Sequence, residues 1–168
     1  MQLPYAVSLI TRSIPIGVAQ RAANMAFVRV MSRHPRLFDR LDDHAQKTFA
    51  FAPTDLPFVF AVTPASRTLR VVRPEVFVSA DAMVKGPLVL LLALLEGRVD
   101  GDAEFFAREL AISGDMEAIV ALRNALDDSA VDLPSDLAPI AGPLAGVAQK
   151  GLERIRTALL ERGPRRWN

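Results

Sequence analysis

Gly114-Asp115 is the most chemistry-like joint in this 168-residue chain. Before it, Arg108 to Ile112 alternates like a strand; after it, Asp115 onward repeats like a helix. A glycine at such a joint can cradle phosphate. A P-loop needs a longer glycine-rich turn and a lysine, and the dinucleotide fingerprint needs three glycines. Neither is present. A glycine supplying unusual backbone torsions, followed by an aspartate that caps the helix, accounts for the pair. Asp100, Asp102, Glu104 and Glu109 could do acid–base or calcium chemistry. Phe105 and Phe106 interrupt the every-second-residue ligand pattern of a calcium loop, so a solvated turn is the expectation. With two histidines, His34 and His44, and no cysteine, a zinc site of the usual kind is not expected. Neither histidine has a serine or cysteine nucleophile in a known motif. No catalysis, metal or cofactor is expected. Asp127-Asp128 at a helix C-terminus opposes the dipole, which marks a partner contact or simply the helix end.

The other constellation is apolar: Phe58, Phe60, Phe77, Leu88 to Leu95, Phe105, Phe106 and Met116. Hydrophobic residues make up 51% of the chain, enough for a real core and too many for disorder. Beyond Pro87 one helix is apolar on every side, unlike a surface helix. It is either buried core or the wall of a cavity for an apolar ligand. Charge is nearly balanced, at +1, but unevenly spread. Met1 to Phe38 holds no acidic residue while carrying Arg12, Arg21, Arg29, Arg33 and Arg36, and the stretch from Lys150 is basic again. Two basic ends around an acidic body suit an anionic surface or, more plainly, two solvated helix faces. The longest apolar run, Pro87 to Leu95, is far short of the roughly 20 residues that span a bilayer. The start lacks a convincing secretory signal, though it resembles a transit peptide or an interfacial helix.

Stepping along the chain, Gly17 to Arg33 reads as an amphipathic helix with Ala19, Ala22, Ala23, Ala26, Phe27 and Val30 on one stripe. His34-Pro35 ends it, and Pro35 to Ala45 reads as a second short helix using Leu37, Phe38 and Leu41. Four β-branched and aromatic runs follow: Thr48 to Phe51, Phe58 to Val62, Thr68 to Val72 and Val76 to Ser79, punctuated by prolines. Ala80 to Leu95 reads as a helix with Asp81 at its start and a kink at Gly86-Pro87. Asp102 to Ala107 makes a helical turn, Arg108 to Ile112 a fifth strand, and Met116 to Leu126 a helix. A linker, Asp127 to Pro139, leads to a last helix from about Pro143 to Arg162.

Ser79-Ala80-Asp81, the leucine-rich helix ending Glu96-Gly97, Asp100-Gly101-Asp102, Phe105-Phe106 and Ile112-Ser113-Gly114-Asp115 together resemble the sterol carrier protein type 2 family. The likeness runs from roughly Pro35 to Asp128. Within that family it is nearest to bacterial accessory factors of oxygen-independent ubiquinone biosynthesis, where the joint usually reads Gly-Asp-Thr-Glu. Here Met116 replaces the threonine and removes a hydroxyl. The resemblance implies an α+β fold: a five-stranded, mostly antiparallel sheet covered by helices around an apolar cavity, with extra N- and C-terminal amphipathic helices. It implies a basic helical segment (1–34), a lipid-binding body (35–128) and a linker with a C-terminal helix (129–168). It implies binding of a lipid or polyprenyl quinone intermediate without catalysis, in a cytoplasmic protein that visits membranes. Its partners would be other ubiquinone-biosynthesis proteins, including collagenase-like peptidase-family hydroxylases, and no nucleic acid. Cavity residues would be Phe60, Phe77, Leu91, Leu94, Leu95, Phe105, Phe106, Ile112, Met116 and Ile119. Arg21, Arg29 and Arg33 would face membrane or partner. The competing expectations are a protein-interaction scaffold whose interior is filled by side chains, and a general lipid or sterol carrier.

Overall fold

The structure, a computed structural model, describes residues 14–77, 79–96, 109–133 and 135–137. Helix α1, Ile16–Arg33, starts on Pro15, whose carbonyl accepts from the amides of Val18 and Ala19. It stops at His34, because Pro35 disfavours a helical residue before it. Arg33 in the last turn complements the helix dipole. The next segment keeps the expected inward residues, Leu37 and Leu41, but as a short 3₁₀ turn, Asp39–His44, and not an α-helix. Asp42 has a positive φ of 42°, which breaks any longer helical run.

Five strands form one open, mixed sheet: β1 Phe49–Pro53, β2 Val59–Thr63, β3 Thr68–Val72, β4 Ala82–Gly86 and β5 Ala111–Gly114. Their order is β3-β2-β1-β4-β5, with β1–β4 parallel and the other pairings antiparallel. Two expectations fail together here. Val76, Phe77 and Ser79 are in no strand, and a 3₁₀ turn, Pro74–Val76, precedes β4. The fourth strand comes instead from the start of the expected helix Ala80 to Leu95. Ala82, Val84 and Gly86 are buried, while Met83 is half-buried and Lys85 exposed, the period of two of a strand. Alanine, methionine and lysine favour helices locally, and pairing with both β1 and β5 overrides that preference. Asp81 therefore does not cap a helix. Its carboxylate accepts the Thr48 amide at 2.7 Å, fixing the entrance of β1 beside β4.

The helix that remains, α2 Leu88–Leu95, begins after Pro87. Its first amide, Leu88 N–H, donates to Asp55 Oδ1 at 2.9 Å. Asp55, buried in the β1–β2 connection, thus acts as a cap supplied from a distant loop. The fifth strand lies a few residues later than expected. Helix α3, Met116–Ser129, is capped as expected: Asp115 accepts from Ala118 N–H at 3.0 Å. Ala118, Ile119, Leu122, Ala125 and Leu126 turn into the core. Asp127 and Asp128, unfavourable for the helix end, are offset by Arg123, one turn earlier, and by Arg40. The expected turn at Asp102 to Ala107 and the helix from Pro143 lie outside the described residues.

Candidate functional site

Strand and helix periodicities converge on one space. In the sheet, Phe49, Phe51 and Pro53 of β1, Phe60 and Val62 of β2 and Leu69 of β3 share a face. On α1 the facing residues are Ala23, Ala26, Phe27 and Val30; on α2 they are Leu88, Leu91, Leu92 and Leu95. Both sets follow i, i+3, i+4, i+7, the spacing of one helical stripe. Leu122 and Leu126 of α3, then Val131, Leu133 and Leu137, close the end. These walls line a partly open cavity of about 250 Å³. Every described side chain around it is apolar. Such a space takes an aliphatic or prenyl chain and gives a polar head group nothing to bond to.

The two readings of the all-apolar helix are both realised. One side of α2 walls the cavity, while Leu90, Ala93 and Leu94 pack with Leu110 in a second small cluster. Burial on both sides removes the need for a polar face.

Of the residues singled out from sequence, Phe60, Leu91 and Leu95 stand in the cavity wall. Leu94 lies on the far side of α2. Ile119 is buried in the α3 core behind the wall, and Phe77 is half-buried beyond the 3₁₀ turn. Ile112 and Met116 are 43% and 55% exposed, on β5 and at the start of α3. Phe105 and Phe106 lie outside the described residues. Sequence reasoning missed Phe49, Phe51, Val62 and Leu69. Their alternation was visible, but only the sheet order shows that these faces align. It placed Ala23 and Ala26 on the inward stripe of α1 without assigning them to a cavity, which they line. Phe58 is buried at the start of β2 under the Arg73 guanidinium, 4.7 Å from its ring centre.

The arginines divide. Arg21 is exposed on α1. Arg33 Nε pairs with Asp136 Oδ1 at 2.7 Å, and Arg29 Nε donates to the Asp136 carbonyl at 3.3 Å.

The Gly114-Asp115 joint is a corner. Gly114 has φ +86°, and an added Cβ there would lie 2.2 Å from the Asp81 carbonyl oxygen. That oxygen accepts the Asp115 amide at 2.8 Å. Lys47 bonds Asp115 and also donates to His44 Nδ1 at 2.9 Å. The Lys47 hydrogen bond, then the Ala118 amide, holds the Asp115 carboxyl below its ordinary value. The stability this contributes is complete above the unfolded-state value and fades as pH falls through the lowered one. Lys47 and Asp115 are thus committed to each other. No cluster fit for a metal ion occurs among the described residues.

An open sheet roofed by helices over a cavity whose described lining is apolar is a site for an apolar ligand. The SCP-2 sterol transfer family model matches residues 27–127, and the chain belongs to that family. No curated protein sequence matches it. A solved structure described as the UbiJ-SCP2 ubiquinone synthesis protein is similar in fold, with TM-score 0.53 at 16% identity, over 71% of this chain and 98% of that one. Sterol carrier protein domain 2 of Helicoverpa armigera aligns with TM-score 0.44 at 13% identity, over 64% of this chain and 86% of its own.

Proposed function

We propose that this protein is a lipid-binding accessory factor that sequesters or presents polyprenylated intermediates of ubiquinone synthesis. The observation that carries the reading is the cavity: about 250 Å³ walled by apolar side chains alone. Each methylene hidden from water contributes about 0.8 kcal/mol, so a buried stretch of prenyl chain binds without any specific polar contact. The head group then stays at the rim, within reach of other proteins of the pathway. Similarity in fold to a ubiquinone synthesis protein supports the choice of cargo and partners.

The outer side of α1 supports contact with an anionic membrane. Val18, Met25 and Val28 are exposed there beside Arg21. Apolar residues flanked by a base suit the interface between head groups and acyl chains. No described helix is long and apolar enough to cross a membrane, so the contact would be peripheral. Arg29 and Arg33, turned toward Asp136, contribute less to it than Arg21 does. The double substitution Arg21→Glu with Val28→Asp should reduce co-flotation with acidic liposomes several-fold, given about 1 kcal/mol per basic residue near the surface. Equal flotation of variant and parent would remove the membrane contact.

The cargo is tested by mass spectrometry of lipids extracted from gently purified protein, beside a matched control protein. A stoichiometric polyprenyl phenol or quinone is the expected result. Bound phospholipid alone would make this a general lipid carrier. A protein that is empty and takes up no such lipid from vesicles would leave only a scaffold.

A further inference from the structure

Helix α1 and the turn after α3 face each other across the cavity, through Phe27 and Val30 on one side and Val131, Leu133 and Leu137 on the other. The two walls are joined at the rim by Asp136, whose side chain is only 3% exposed. Its Oδ1 accepts from Arg33 Nε at 2.7 Å, and its Oδ2 from His34 Nε2 at 2.8 Å. Its backbone carbonyl accepts from Arg29 at 3.3 Å. All three partners come from the C-terminal end of α1 and the residue that closes it.

The other end of α1 is clipped differently. Gln20 Nε2 donates to the Leu69 carbonyl at 2.8 Å, and Gln20 Oε1 accepts the Val71 amide at 2.7 Å. The side-chain amide occupies the edge of β3 as one residue of a further strand would. Between these clips, α1 presents Ala23 and Ala26 to the cavity. Small side chains at these two positions bury little apolar surface. Phe27, Val30 and the buried Met31 pack α1 against the core, and the polar clips fix its two ends.

Taking up a long chain requires the cavity to widen. At about 250 Å³ it lies just under the roughly 300–1,000 Å³ of ordinary ligand pockets, too small for a long lipid chain. We propose that α1 is the lid of the cavity and that Asp136 is its latch. Chains enter and leave when the carboxylate parts from Arg33 and His34 and the C-terminal half of α1 lifts from Val131, Leu133 and Leu137. The closed state is favoured because parting leaves a buried carboxylate without its Arg33 cation and its His34 hydrogen bond. As a statement about cargo, this rests on the lipid-carrier reading; as a statement about motion, it does not.

The chain has no cysteine, so an introduced thiol reports on one place. Ala26→Cys puts a thiol on the cavity side of the lid, and Ala118→Cys puts one at a fully buried position under α3. Each is made with Asp136 intact and with Asp136→Asn, and the rate of reaction with an aromatic disulfide reagent is followed. Asp136→Asn should speed modification at position 26 about tenfold, the equivalent of losing one hydrogen bond to a charged group. Position 118, which reports global unfolding, should change much less. Arg33→Gln, a milder loss of the same pair, should act in the same direction. A pyrene-labelled fatty acid should enter and leave Asp136→Asn about tenfold faster, with little change in affinity, since a latch sets rates for both directions. An unchanged rate at position 26 in both variants, or a parallel rise at position 118, overturns the latch. If Asp136→Asn opens position 26 while the parent takes up no fatty acid, the lid stands and the carrier reading falls.

Discussion

An Ala26→Trp variant should fold normally and come out of cells without lipid. Ala26 lies on the inward stripe of α1 with Ala23 and Val30, facing a void of about 250 Å³. An indole there fills space that is otherwise empty, and an aromatic ring of this size buries roughly 150–250 Å². Filling a cavity in place commonly stabilises by about 0.5–2 kcal/mol, while imperfect fit costs about 1–3 kcal/mol. The melting temperature should therefore move by only a few degrees, on the order of 2–4 °C per kcal/mol for a chain of this size. Lipid content should fall by more than about tenfold, because the chain must now displace a packed side chain worth a few kcal/mol. The control is Val76→Trp, on the 3₁₀ turn before β4, where the residue is 66% exposed. It should leave extracted lipid unchanged. Parental lipid content in Ala26→Trp would show that the cargo sits elsewhere.

The second large effect is on stability. At Gly114, φ is +86° and a Cβ would meet the backbone oxygen of Asp81 at 2.2 Å. A backbone atom cannot swing aside as a flexible side chain can. Gly114→Ala must push β5 from β4 where Ala82 and Gly114 pair, and disturb the Asp115 amide bonded to the same oxygen. The left-handed backbone alone costs about 1–3 kcal/mol, and the clash adds to it, so a loss of about 3 kcal/mol or more is expected. Thermal melting should fall by roughly 6–12 °C. A fall of less than about 2 °C, the shift of well under 1 kcal/mol, would mean that the corner relaxes freely and is no fixed point of the fold.

These two sites show how differently position and role can be read. Gly114-Asp115 was legible because its chemistry is local. A glycine for positive φ and an aspartate for the first turn are demands of three or four adjacent residues. The α3 stripe and the α1 stripe were legible for the same reason, since a helix writes its buried side into its own spacing. β4 was not. Ala-Met-Val-Lys-Gly has no strong strand preference, and what makes it a strand is β1 on one side and β5 on the other. Asp81 and Asp55 mislead for a related reason. Their partners are the amides of Thr48 and Leu88, each 33 residues away.

Sequence by itself determined the kind of protein: an apolar α+β chain carrying the sterol-carrier motifs and a glycine corner. It determined which faces of α1, β3 and α3 are apolar, because those faces follow from backbone periodicity. Tertiary structure alone decided that Phe49, Phe51, Phe60, Leu69 and the two helical stripes meet around an empty space. A void has no signature in the chain, since the same leucines pack solidly or stand apart according to how far the elements are held from one another. It also decided that Asp136 joins the cavity's two sides, 103 residues after Arg33 in the chain. Such a pair depends on where separate elements come to rest, and no local preference encodes that.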